Sequence, residues 1–171
     1  MASVDPTVLT LEELLIGLVG QVPTCPSPRV EIPRAVIDSR LAEPGCLFIA
    51  LRGERHDGHD FIPDAIAKGA VAVIAEKPPA PGLCQVVDLR DPTIHLDDLA
   101  LSIPVCLIVF DSLKALQRAA AHWRRRHHPR VIGVTGSVGK TTAKEIIAAV
   151  LSQRFRTLKS EGNYNNEIGL P

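Results

Sequence analysis

Residues 136–142, Gly-Ser-Val-Gly-Lys-Thr-Thr, place two glycines, one lysine and three hydroxyls at the start of a segment with helical periodicity. That combination is suited to holding phosphate. Backbone N–H groups of such a loop point at phosphate oxygens, and the helix N-terminus adds positive potential. Lys140 is spaced to reach the outer phosphates, and the Thr141 hydroxyl is spaced to ligate Mg²⁺. The general phosphate-loop pattern is a glycine, four residues, then Gly-Lys-Ser/Thr. Its first glycine would fall on Val134 here; the glycines present are Gly133, Gly136 and Gly139, so the loop is a Thr-Gly-x-x-Gly-Lys-Thr-Thr variant. A plain glycine-rich turn with a solvated Lys140 is the competing reading, but turn geometry does not require Lys-Thr at that point. The loop is therefore read as a nucleoside triphosphate site.

The elements around the loop are legible in the same way. The apolar run Val131–Val134 reads as a buried strand that feeds it, and Lys140 to Ser152 reads as the helix behind it, with Ala143, Ile146, Ile147, Val150 and Leu151 on one face. Earlier in the chain, Thr10-Leu-Glu-Glu13 has the capping-box form. Leu11, Leu14, Leu15 and Leu18 then share a face, and Gly20 is placed to end the helix. Strands are expected at Ala35–Ile37, Cys46–Leu51, Ala70–Ala75 and Gln85–Leu89, and Val105–Phe110 is a further apolar run. Helices are expected at Phe61–Lys68, with Phe61, Ala65 and Ile66 inward, and from about residue 112, with Leu113, Leu116, Ala120 and Trp123 recurring at helical spacing. Val22 to Pro33 reads as an irregular connection, and residues 91–104 give no firm pattern. Alternating strands and helices predict an α/β fold. It is divided into an N-terminal domain, 1–109, and the beginning of a second, 110–171, that carries the loop.

Bulk composition removes several function classes. Formal net charge is zero over 171 residues, so no global field favours nucleic acid or an anionic membrane. One Trp, one Tyr and four Phe are too few for a base-stacking platform. The cysteines, Cys25, Cys46, Cys84 and Cys106, form no Cys-x-x-Cys pair, which favours reduced thiols in a cytoplasmic protein over a zinc or redox site. Residues 99–110 are apolar but short and broken by Ser102 and Pro104, so no membrane span is expected. The run Arg124-Arg-Arg-His-His128 with Arg130 reads as a solvated helix end, since cations there meet the helix dipole favourably without a partner.

Two further stretches, taken with the loop, give the chain a resemblance to the Mur ligase family of ATP-dependent amide-forming enzymes. One is Asp38-Ser39-Arg40, then Pro44-Gly-Cys-Leu-Phe-Ile-Ala-Leu51, Gly53, and Asp57-Gly58-His59-Asp60-Phe61. This resembles the N-terminal domain shared by the ligases that add the third residue and the terminal dipeptide of the cell-wall stem peptide. The other is Asn163-Tyr-Asn165-Asn166-Glu-Ile-Gly-Leu-Pro171, which is similar to the branch of the family that adds D-alanyl-D-alanine. Read alone, Asp38-Ser39-Arg40 is a strand end with a turn, His56 and His59 are loop histidines, and the asparagines form a turn.

The resemblance implies a small N-terminal substrate domain followed by the start of a central ATPase domain. It implies ATP and Mg²⁺ as cofactors, with UDP-N-acetylmuramoyl-tripeptide and D-alanyl-D-alanine as substrates. The peptide carboxylate would be activated as an acyl phosphate and then attacked by the dipeptide amine. Lys140 and Thr141 take the catalytic roles, and Gly136, Ser137, Val138, Gly139, Lys140, Thr141 and Thr142 bind the nucleotide. Thr141 is the metal ligand, and Ser39, Arg40, Asn165 and Asn166 contact substrate. A monomer is expected. The family's later catalytic groups and its C-terminal domain would lie past Pro171, so the 171-residue polypeptide alone is expected not to ligate. The alternatives are the third-residue-adding ligase, a phosphate-loop kinase or ATPase of another class, and a non-catalytic nucleotide-binding module.

Overall fold

The computed structural model of the chain describes residues 8–20, 30–53, 56–94 and 101–160. They belong to two compact units, residues 1–123 and 124–171. The first begins with β1 (Leu9–Thr10), which pairs antiparallel with β2 (Glu31–Ile32), and α1 (Leu11–Val19) follows β1 directly. The capping box forms as the sequence predicts. The Thr10 hydroxyl accepts the Glu13 backbone N–H at 3.2 Å, and Gly20, at φ 76°, ends the helix in the left-handed region.

A five-stranded sheet forms the centre of this unit. Its strands are β3 (Ala35–Val36), β4 (Leu47–Ile49), β5 (Ala72–Ala75), β6 (Gln85–Asp88) and β7 (Val105–Ile108). They lie in the order β3-β4-β5-β7-β6, and every pairing is parallel. A parallel sheet is covered on both faces, which is why β4, β5 and β7 are apolar at every position rather than alternating. On one face Leu47, Ile49, Ala72, Ile74, Val105 and Leu107 pack with Leu11, Leu14, Leu15 and Leu18 of α1 and with Ala115 and Ala119 of α3 (Ser112–His127). On the other, Val36, Phe48, Val73, Ala75, Cys106 and Ile108 pack with Ile62 and Ala65 of α2 (Ile62–Ala67).

Several expectations are corrected. On α3, Leu113, Leu116, Ala120 and Trp123 are half-buried, with Leu116 packed against the core, and the fully buried residues are Ser112, Ala115 and Ala119. Small side chains let that helix lie close on α1, where a Cβ on Gly17 would come within 3.1 Å of the His122 Cβ and 3.2 Å of the Ala119 Cα. The two compact units divide after Trp123, inside α3. Phe61 is 42% exposed, and the inward position it was expected to hold falls to Ile62.

In the second unit, α4 runs from Lys140 to Ser152 as expected. Residues 131–134 form no strand, and Val131 and Ile132 are 68% and 57% exposed. A strand is defined by a ladder to a neighbour, and among the described residues nothing pairs with this stretch.

Candidate functional site

The loop before α4 has the conformation its glycines predict. Gly139, at φ 80°, is the N-cap of α4, and Gly136, at φ 150°, also lies where side chains are disfavoured. No side chain caps the helix, and no acidic residue lies in its first turn. The first intrahelical bond runs from the Ala143 N–H to the Gly139 carbonyl at 2.9 Å. The N–H groups of the first turn therefore end in open, positively polarised space, the arrangement that takes an anion. Lys140 Nζ donates to the Gly136 carbonyl at 2.6 Å, so the lysine closes the loop on itself. Ser137, Val138, Thr141 and Thr142 are exposed, with Val138 at 90%. Open donors, a lysine and adjacent hydroxyls are the donor set that MgATP needs. Asn165 and Asn166, the other residues expected near the nucleotide, lie outside the described residues.

The second cluster belongs to the first unit. Because all five strands of the sheet are parallel, their carboxyl ends share one edge, where open α/β sheets bind ligands. Ser39 and Arg40 follow β3 there, in a short 3₁₀ turn capped by Asp38. The Ser39 side chain is buried and hydrogen-bonds Asp64, while the Ser39 carbonyl accepts Lys68 Nζ at 2.9 Å. Arg40 is exposed and forks onto Asp38, with Nε at 2.9 Å from Oδ1 and Nη2 at 2.6 Å from Oδ2. That guanidinium holds the Asp38 carboxyl down at about 2. Both residues already have internal partners, so Arg40 can meet a phosphate only by sharing or leaving Asp38.

The sequence reading missed what Asp57-Gly58-His59 does. Asp57 caps a 3₁₀ turn (Gly58–Phe61) by accepting the His59 backbone N–H at 3.0 Å, and it meets His59 Nδ1 at 2.5 Å and Lys77 Nζ at 2.9 Å. The backbone N–H of His59, then Lys77 and the imidazole, hold this carboxyl well below the usual range. The imidazole, 1% exposed, accepts the Glu76 backbone N–H on Nε2 at 2.9 Å. An acceptor Nε2 places the ring proton on Nδ1, aimed at Asp57.

Glu76 then ties the strand ends together. Its Oε2 lies 3.0 Å from Arg52 Nε after β4, its Oε1 accepts the Ser112 N–H of α3 at 3.3 Å, and its carbonyl accepts Arg90 Nη1 after β6 at 3.3 Å. His59 is thus a brace for the carboxyl edge rather than a loop histidine or a base. The Asp-Gly-His triplet was visible in the sequence, but its partner Glu76 lies 17 residues away from His59 and carried no signal.

Among the described residues no group of His, Cys, Asp or Glu is arranged to hold a metal, and no helix is long and apolar enough to cross a membrane. Cys46 and Cys106 are buried free thiols, and Cys84 is half-buried. Cys25 lies outside the described residues.

Comparison with known proteins places these features. Residues 32–100 match the Mur ligase family catalytic domain, and residues 134–171 match the Mur ligase middle domain. The chain is 46% identical over 145 residues to the UDP-N-acetylmuramoyl-tripeptide--D-alanyl-D-alanine ligase of Synechocystis, covering 85% of this chain and 28% of the relative. It is 39% identical over 142 residues to the ligase of the same name from Escherichia coli, covering 83% and 27%. Among solved structures, MurF from Acinetobacter baumannii aligns with a TM-score of 0.69 at 33% identity, over 96% of this chain and 32% of that one. MurF ligase from Thermotoga maritima in complex with ADP aligns at 0.60 and 36% identity, over 81% and 27%. The chain therefore spans less than a third of the length of each of these proteins.

Proposed function

The chain belongs to the Mur ligase family, and from that membership we propose that it carries the uridine-nucleotide and ATP-loop portion of a ligase joining D-alanyl-D-alanine to UDP-N-acetylmuramoyl-tripeptide. The observation that carries the nucleotide half is the uncapped N-terminus of α4, presented by Gly136 and Gly139 and followed by Lys140 and Thr141. Relatives named for that ligation, at up to 46% identity, support the choice of acceptor.

When bound, MgATP supplies the phosphoryl group that converts the peptide carboxylate to an acyl phosphate. The chain's own part is to hold and neutralise. Loop N–H groups from Ser137 to Thr141 would donate to phosphate oxygens, Lys140 would leave the Gly136 carbonyl for the outer phosphates, and Thr142 would add a hydroxyl contact. The Thr141 hydroxyl would hold the Mg²⁺ ion. Asn165 and Asn166 serve the metal and substrate side, and Ser39 and Arg40 serve the uridine diphosphate. The protein acts in the cytoplasm as a monomer.

Titration calorimetry with UDP-N-acetylmuramoyl-tripeptide tests the assignment. Saturable binding is the expected result, because a kinase, an unrelated ATPase or a nucleotide sensor has no use for that ligand. Absence of heat at millimolar ligand, with MgATP still bound, would move the chain to one of those classes.

A further inference from the structure

The basic side chains at the carboxyl edge of the first unit's sheet differ in what already occupies them. Arg40 is forked onto both oxygens of Asp38, and Lys77 ends on Asp57 Oδ2 at 2.9 Å. Arg90 uses all three of its side-chain nitrogens. Nε and Nη2 donate to Asp88 at 2.8 and 2.6 Å, and Nη1 donates to the Glu76 carbonyl at 3.3 Å. Arg52 is different: its Nε lies 3.0 Å from Glu76 Oε2, and among the described residues nothing meets Nη1 or Nη2. The side chain is 63% exposed, so these two nitrogens stand open at the edge.

Both ends of this side chain are nevertheless placed. The Arg52 backbone forms an antiparallel bridge with Asp57, flanked by hydrogen bonds from the Gly53 N–H to the His56 carbonyl at 2.9 Å and from the Gly58 N–H to the Leu51 carbonyl at 2.8 Å. Glu76, which faces Nε, is itself fixed, with His59 Nε2 on its backbone N–H and the Ser112 N–H on Oε1. A guanidinium held at Nε with Nη1 and Nη2 free is a preorganised fork, and phosphate oxygens match that geometry two at a time. An exposed ion pair adds little to stability, so replacing Arg52 should leave the fold in place.

We propose that Arg52 is the principal diphosphate-binding residue of the first unit. Nη1 and Nη2 donate to phosphate oxygens of the uridine diphosphate while Nε stays on Glu76. Arg52 contributes more than Arg40, which must first share or leave Asp38. The inference rests on the reading of this unit as the uridine-nucleotide portion of the chain. Lysine cannot replace Arg52, because one ammonium is a point donor and cannot serve Glu76 and a diphosphate together.

Titration calorimetry of UDP-N-acetylmuramoyl-tripeptide into the chain and its variants tests this. Affinity should fall about tenfold in Arg52→Ala, the effect of losing one charge-assisted phosphate contact, and several-fold in Arg52→Lys. Arg40→Ala should lose less than about threefold, since its guanidinium is already engaged. The loss in Arg52→Ala should also shrink as salt is raised, which a merely structural role would not produce. Unchanged affinity in Arg52→Ala, full affinity in Arg52→Lys, an equal or greater loss in Arg40→Ala, or a loss indifferent to salt would each overturn the proposal. No uptake of the ligand by the unaltered chain would refute the uridine-nucleotide reading itself, a result distinct from any difference among the variants.

Discussion

Replacing His59 by alanine should weaken the first unit more than any exposed substitution, and the cost follows from the contacts of the ring. The imidazole is 1% exposed and accepts the Glu76 N–H at 2.9 Å. Its removal leaves that N–H without an acceptor, at a cost of about 1–3 kcal/mol. The space vacated adds a further cavity penalty of about 1 kcal/mol or more. Asp57 recovers water and loses less, since its side chain is 30% exposed and keeps Lys77 at 2.9 Å. The sum is about 3 kcal/mol, which at a typical urea slope of about 2 kcal/mol/M moves the midpoint down by about 1.5 M. Urea unfolding followed by circular dichroism measures it. His59→Gln should recover part of the loss, because an amide offers both a donor for Asp57 and an acceptor for Glu76. A loss below about 1 kcal/mol for His59→Ala, with no difference between the two variants, would refute the role of His59 as a brace.

Gly58→Ala should cost about 2–4 kcal/mol in the same assay, because a Cβ there would stand 2.6 Å from the Leu51 carbonyl oxygen and 2.7 Å from its nitrogen, with the Gly58 N–H to Leu51 bond at 2.8 Å at stake. Gly82→Ala, at φ 85° with nothing within 4 Å, should cost only about 1 kcal/mol, from backbone strain alone. Asp57 and Asp38 titrate below the usual carboxylate range in the folded chain. Their stabilisation is therefore complete above the unfolded carboxylate pKa of about 4 and drains away as pH falls toward about 2, so the melting temperature should drop over that acid window, and less steeply in Asp57→Asn.

Much of this arrangement could be read from residues alone, where local chemistry decides. Thr10 with Glu13, Gly20 and the apolar runs of β4, β5 and β7 each carry their own signal, because capping and burial act over a few residues. The phosphate loop is legible for the same reason: its glycines, lysine and hydroxyls lie within seven positions, 136–142. Where distant partners decide, the reading slipped. Helical spacing picks out Leu113 and Leu116 on α3, while close approach to α1 buries Ala115 and Ala119 most deeply. The order β5-β7-β6, which brings Ser112 and Arg90 to the same edge as Glu76, follows from crossovers that no short pattern encodes. For the same reason Glu76 carried no signal as a hub, and neither did the contacts of Ser39. Its internal partners Asp64 and Lys68 lie 25 and 29 residues further on.

The central claim is that the open N-terminus of α4 holds a nucleoside triphosphate through Lys140. Titration calorimetry of MgATP into the chain and into its Lys140→Met variant tests it most directly. The account predicts one saturable site in the unaltered chain and a loss of at least about tenfold in affinity in the variant, from removal of one charged phosphate contact. Equal affinities, or no site in either, would contradict it.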